Sequence, residues 1–203
     1  MAFTRKPILG MNETRDPDYD LVKQIQLRRD DKLFATLLRK YENKVYNFCV
    51  RFLGNDFDAS DCTQEIFIRV FENLSHFRFK ATFSTWLYRI MVNCCKDMIR
   101  SGKNIKMSYY KSDHPDADII QYADKSDSPE RLLYRKEINE AFQIALGKLK
   151  EVNRIVLILR DIEGRSYNEI AELTGLKQGT VRSSLSRARC RMADELKTFQ
   201  NGL

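Results

Sequence analysis

Histidine and paired cysteine, which supply most metal and redox centres, are nearly missing from this 203-residue chain. Its two histidines, His76 and His114, stand far from any cysteine pair. The five cysteines (Cys49, Cys62, Cys94, Cys95 and Cys190) are odd in number and show no CxxC spacing. That pattern argues against a zinc module or a disulfide framework, so no metal and no cofactor are expected. Unpaired thiols also suit a reducing, cytoplasmic setting. No apolar run approaches the roughly 18 residues of a membrane span, and the N-terminus lacks the apolar core of a signal peptide. A soluble protein without membrane insertion is expected. The chain has no phosphate-cradling glycine loop, nucleophile elbow or HExxH pair, and no catalytic set can be assembled. Glycine and proline are scarce, at eight and four, so long helices run uninterrupted. No useful stretch alternates polar and apolar residues, and an all-α fold follows.

What is present is positive charge, unevenly placed. The formal charge is +7 and the pI about 9.1, which points towards a polyanion. Residues 177–191 hold Lys177, Arg182, Arg187, Arg189 and Arg191 with no acid among them, whereas 111–130 hold six acids against two lysines. The basic stretch closes a helix-turn-helix pattern. Ser166 is placed to cap a short helix, with Glu169 completing a capping box and Tyr167, Ile170, Ala171 and Leu173 on one face. Gly175 stands where the chain needs a left-handed turn. A second helix from about Gln178 buries Val181, Leu185, Ala188 and Met192 at 4, 3 and 4 spacing. Its other side presents Thr180, Arg182, Ser183, Ser186 and Arg187. Arginine pairs bidentately with guanine, and hydroxyls serve bases or phosphates, so DNA binding is the expected use.

Elsewhere the patterning is helical from Asp18. A long amphipathic helix, capped by Asp30 or Asp31, closes at Gly54. The next, capped by Asp58 or Ser60, shows an inward stripe of Cys62, Ile66, Phe67, Val70 and Phe71. A third, Phe83–Arg100, turns Leu87, Ile90, Met91, Cys94 and Met98 inward and Arg89, Asn93, Lys96 and Arg100 outward. Residues 1–17 read as a flexible tail, 18–102 as one helical domain, and 103–128 as a linker without a sustained apolar face. Residues 129–203 form a second helical domain: a helix over 129–149 opened by Ser128 and Pro129, with Leu132, Leu133, Ile138, Phe142, Ala145 and Leu149 as its apolar set, another over about 151–162 with Val152, Ile155, Val156 and Leu159 inward, then the helix-turn-helix. The fold expected is thus two small all-α domains on a flexible linker.

Two further constellations stand out. Phe77, Phe79, Phe83, Trp86 and Tyr88 are interleaved with Arg78, Lys80, Arg89 and Lys96; rings stack on unpaired bases while cations follow phosphates. The competing reading is that these rings simply pack a core. Asp58, Asp61, Gln64 and Glu65 make an acidic face. Helix-start capping, docking on a basic partner and metal-dependent cleavage by Asp61 and Glu65 all use such a face, although the last lacks further ligands at suitable spacing.

In DCTQEIFIRVFENL (61–74), FSTWLYRIMVNCCKDMIR (83–100) and EGRSYNEIAELTGLKQGTVRSSLSRAR (163–189), taken in this order, the chain resembles bacterial sigma factors of the sigma-70 family, extracytoplasmic-function (ECF) group. The resemblance spans roughly 18–198. It implies that Asp61, Gln64 and Glu65 dock on the clamp helices of the RNA polymerase β′ subunit. Phe77, Arg78, Lys80, Trp86, Arg89, Asn93 and Lys96 would capture the non-template strand of the −10 element in region 2. Lys177, Thr180, Arg182, Ser183, Ser186 and Arg187 would meet the −35 element in region 4. The linker would thread towards the RNA path, and an anti-sigma factor is the implied inhibitor. Two departures accompany it: Lys150 replaces a common proline, and Ser184 replaces a common basic residue, which is expected to affect −35 contact. The rival reading is a stand-alone helix-turn-helix regulator; a nuclease is the third.

Overall fold

A computed structural model describes residues 16–101 and 128–200. The expected tail, apart from Asp16 and Pro17, and the expected linker, apart from Ser128, lie outside the described residues. Eight α-helices and no strand occur among the described residues: α1 (Tyr19–Arg28), α2 (Asp31–Leu53), α3 (Asp56–Asn73), α4 (Phe83–Arg100), α5 (Pro129–Gly147), α6 (Glu151–Leu157), α7 (Tyr167–Thr174) and α8 (Gln178–Gln200). A short 3₁₀ turn follows α3, and α6 widens into a π-helical turn at Ile158–Ile162.

Local chemistry places most of these boundaries. Asp30 caps α2 by accepting from the Lys32 N–H, and Gly54 ends it at φ 81°, a backbone conformation that costs glycine little. Thr82 caps α4 through the Thr85 N–H, and Ser128 caps α5, with Pro129 in its first turn. The cap of α3 is not Asp58 or Ser60 but Asn55, whose side-chain oxygen accepts from the Asp58 N–H at 2.7 Å. Helix α5 stops at Gly147 rather than 149, and Lys150 is the residue before α6.

The inward stripes are as spaced in the sequence, with three exceptions. Phe71 is 59% exposed, Val152 is 40% exposed and Leu133 is on the surface. Phe71 meets the Phe34 ring of α2 edge-on, with ring centres 5.0 Å apart, and is otherwise open. Helices α2, α3 and α4 pack as a bundle with α1 laid along α2, and α5–α8 enclose a second apolar centre. The two centres merge: one continuous buried cluster runs from Val22 to Met192.

Arg154 joins the halves. Its buried guanidinium donates to the carbonyls of Leu146 (2.9 Å), Gly147 (2.8 Å) and Leu149 (3.1 Å) at the end of α5 and to Phe52 O (2.7 Å) at the end of α2. Helix C-termini carry unpaired carbonyls and partial negative charge, so one buried cation satisfies both ends.

Candidate nucleic-acid interfaces

The helix-turn-helix forms as its sequence demands. Ser166 Oγ accepts from the Glu169 N–H (3.2 Å), and Glu169 Oε2 accepts from the Ser166 N–H (2.9 Å). Burial opposes the charge on Glu169, but the Ser166 N–H and hydroxyl and Arg165 outweigh it and hold its carboxyl below the usual range. Gly175, at φ 73°, turns the chain, and the Gln178 amide donates to Asn168 Oδ1 across that turn. Val181, Leu185, Ala188 and Met192 are buried. Lys177, Thr180, Arg182, Ser183, Ser186 and Arg187 are all exposed. Ser184, expected to affect −35 contact, is 1% exposed and faces the core.

The five cations separate into two groups. Arg189 pairs with Asp161 (2.5 and 2.9 Å) and Arg191 with Glu195 (2.7 Å). Among the described residues no carboxylate pairs with Lys177, Arg182 or Arg187. The Arg182 guanidinium lies over the Tyr167 ring, 5.7 Å from its centre, and Arg187 makes only long contacts to Ser183 and Ser184 (3.5 and 3.4 Å). The outward face therefore carries charge that no carboxylate of the described residues offsets.

The aromatic-basic stretch divides differently. Arg78, Lys80, Arg89 and Asn93 are exposed and Trp86 is half-buried. Phe77 is not a free ring: it is buried, with ring centres of Phe79, Trp86 and Phe83 at 4.8, 5.1 and 6.2 Å. It supports the loop rather than lining its surface. Phe79 takes φ 53°, a strained conformation for a bulky residue. The loop is held from outside, because Gln26 of α1 donates to both Leu74 O (2.7 Å) and Phe77 O (2.8 Å). Asp16, which the sequence places in the tail, accepts from the Phe83 N–H at 2.7 Å. Beside the loop a cavity of about 270 Å³ is lined by Arg69, Asn73, Trp86, Arg89, Ile90 and Asn93. Arg69 is fixed there by Glu65 (2.7 Å) and Asp97 (3.1 Å).

Asp61, Gln64 and Glu65 are exposed on α3, with Glu65 committed to Arg69. Their apolar companions were not apparent from the sequence. Phe57, Ile68 and Phe71 are 77%, 52% and 59% exposed. With Asp61 and Gln64 they follow 4, 3, 4 and 3 spacing, one continuous outer stripe. Three large apolar side chains are thus left to solvent on one side of α3.

The two halves touch beside the candidate DNA surfaces. The Arg165 guanidinium lies 4.2 Å from the Tyr88 ring centre and donates to Ser84 Oγ (3.0 Å). Glu163 pairs with Arg51 (3.4 Å) and accepts from the Tyr88 hydroxyl. Burial, then Glu163, pushes the Tyr88 phenol far above its ordinary value. Lys96 of α4 donates to Thr174 O of α7 (3.3 Å), and burial lowers its pKa.

The sequence shows no metal-ligand spacing, yet folding brings three cysteines of three helices together. Cys62 Sγ is 3.7 Å from Cys95 Sγ, which is 4.0 Å from Cys49 Sγ.

Among known proteins, the sigma-70 region 2 model matches residues 37–105 and the sigma-70 region 4 model matches 139–192. The RNA polymerase sigma-H factor of Pseudomonas aeruginosa is 36% identical over 185 residues, covering 87% of this chain and 92% of that protein. The ECF RNA polymerase sigma factor SigW of Bacillus subtilis is 32% identical over 185 residues, 87% of this chain and 95% of that protein. The sigma factor RpoE from Bartonella quintana, solved in complex with the anti-sigma factor NepR, superposes with a TM-score of 0.62 at 24% identity, covering 81% of this chain and 96% of that one. That likeness shows a shared fold. No helix among the described residues is long and apolar enough to cross a membrane. With both regions matched in order and relatives above 30% identity over most of their length, the chain belongs to the sigma-70 family as an RNA polymerase sigma factor of the ECF group.

Proposed function

We propose that the outward face of α8 reads the −35 element, the α4 stripe and its loop hold the opened −10 element, and the outer stripe of α3 docks on the polymerase. The observation that carries this is the division of cations on α8. Lys177, Arg182 and Arg187 have no carboxylate partner among the described residues and stand in register with Thr180, Ser183 and Ser186, while Arg189 and Arg191 are neutralised from within. A row of three uncompensated charges with hydroxyls between them fits phosphates flanking a major groove, with Arg182 and Arg187 able to fork onto guanine.

On the other half, the 270 Å³ cavity offers the Trp86 ring and the Arg89 and Asn93 side chains to a base that has left the stack. Arg78 and Lys80 stand beside it for the backbone. Phe77 takes no direct part and holds the loop. Lys96 becomes available to DNA only when α7 moves away from α4. On α3, Asp61, Gln64 and Glu65 supply the polar contacts, and Phe57, Ile68 and Phe71 the apolar area, for the β′ clamp helices of the core enzyme. Binding and base capture melt the promoter; this chain supplies no catalytic group, and an anti-sigma factor covers the same surfaces when initiation is held off.

The test is promoter-directed transcription by core polymerase with Arg182→Ala, alongside gel shifts with and without core. The variant is expected to lose about 1–3 kcal/mol of −35 recognition, and the unaltered chain to need core for tight promoter binding. Normal initiation by the variant would remove α8 from its assigned role. Tight specific binding without core would favour a stand-alone regulator.

A further inference from the structure

The three sulfurs at the centre of the α2–α3–α4 bundle have no part in the promoter reading. Cys49, Cys62 and Cys95 come from three different helices, each with no exposed surface, and their Sγ atoms all lie within 4.8 Å of one another. Sulfurs bound about 2.3 Å from one ion lie roughly 4 Å apart when the ion sits in their plane, and closer when it rises out of it. The observed 3.7 and 4.0 Å fall in that range. Among the described residues no His, Asp or Glu joins the group. Cys94 is buried next in sequence but lies outside it.

Charge selects the ion. Three thiolates around a divalent ion leave one net negative charge, and around a monovalent ion two. An unpaired charge in a dry core costs several kcal/mol. Arg69, the cation of α3 beside this bundle, is already shared by Glu65 and Asp97. Zinc would also seek a fourth ligand. A trivalent ion leaves none of these deficits.

We propose that Cys49, Cys62 and Cys95 form a three-sulfur site for a trivalent thiophilic metalloid, of which arsenous acid is the simplest. The exchange balances without charge: As(OH)₃ + 3 RSH → As(SR)₃ + 3 H₂O. Three As–O bonds break, three As–S bonds form, each thiol proton leaves with a hydroxide as water, and arsenic stays trivalent. The product ties α2, α3 and α4 through one atom, so binding to the folded bundle raises its stability by mass action. Entry requires the bundle to open locally, so uptake is slow and tracks that opening.

The test uses the full chain carrying Cys94→Ala and Cys190→Ala, incubated with sodium arsenite and freed of excess. Native mass spectrometry is expected to show one arsenic per chain, X-ray absorption three sulfur neighbours, and thermal unfolding a Tm raised by several degrees; zinc is expected to give no stoichiometric complex. Adding Cys62→Ala should abolish all three signals. The proposal is overturned by no arsenic uptake, by two or fewer sulfur neighbours, by a complex that leaves Tm unchanged, by equal binding in the Cys62→Ala chain, or by a stoichiometric zinc complex. Sulfur count and Tm are read on the parent double variant, so they decide the matter even where the Cys62→Ala chain does not fold.

Discussion

Helix α8 and helix α4 both present a stripe of cations, yet the free chain treats them differently. On α8 the cations proposed to meet DNA have no carboxylate partner among the described residues, and the apolar side beneath them is fully buried. On α4 the stripe is exposed at Arg89, Asn93 and Arg100 but partly covered at Lys96, whose ammonium rests on the Thr174 carbonyl of the other half. One surface is finished in isolation; the other is partly shut by the first helix of the helix-turn-helix. The difference teaches that a cation's spacing along a helix says which way it points, not whether it is available. Availability is set by the packing of the second half.

The strongest way to break that comparison is to remove what binds the halves. Arg154→Ala deprives buried carbonyls at the ends of α2 and α5 of their donor, and is expected to cost about 3 kcal/mol or more. Urea unfolding of variant and parent measures it; a change below about 1 kcal/mol would mean the halves are held elsewhere.

A second experiment sets the two stripes against each other. Arg187→Ala is expected to weaken holoenzyme binding to a promoter duplex carrying both the −10 and −35 elements by about 1–3 kcal/mol. Lys96→Ala is expected to do less, because the lost phosphate contact is offset by release of its hold on α7, and to lower the salt-dependence slope by about one. Binding titrations across a salt series separate the two. Equal losses would mean that Lys96 is as free as Arg187.

The smallest effect sharpens the α8 side alone. Glu169→Gln removes the charge from the capping box and is expected to cost roughly 1 kcal/mol at neutral pH. The folded pKa of Glu169 is depressed, so its contribution is complete above its unfolded value of 4.5. It fades as pH falls through the lower folded value. Unfolding midpoints of parent and variant should therefore converge in acid; a constant difference across pH would show that charge plays no part.

What was legible in the sequence was local. The capping box at Ser166 and Glu169, the left-handed Gly175 and the 4-3-4 stripe beginning at Val181 each involve residues within one or two turns, so their geometry follows from helix periodicity alone. Phe71 and Phe77 were misplaced for the opposite reason. Phe71 looks inward by hydrophobicity, but α2 reaches it only with the edge of Phe34 and leaves most of it exposed; Phe77 looks like a free ring, but Phe79, Phe83 and Trp86 surround it. Ser184 differs again, since its one-residue offset from Ser183 turns it into the core. Gln26, which steadies the loop from about fifty residues away, left no signal in its neighbours.

The sequence by itself determined the helices, the capping box of α7, the orientation of the α8 face and the family to which the chain belongs, because these rest on near-neighbour spacing and on motif order. Tertiary structure alone decided that Arg154 ties α5 to α2, that Lys96 is covered by α7, and that Cys49, Cys62 and Cys95 converge. Those contacts join residues that are distant along the chain, and only the packing of whole helices brings them within reach.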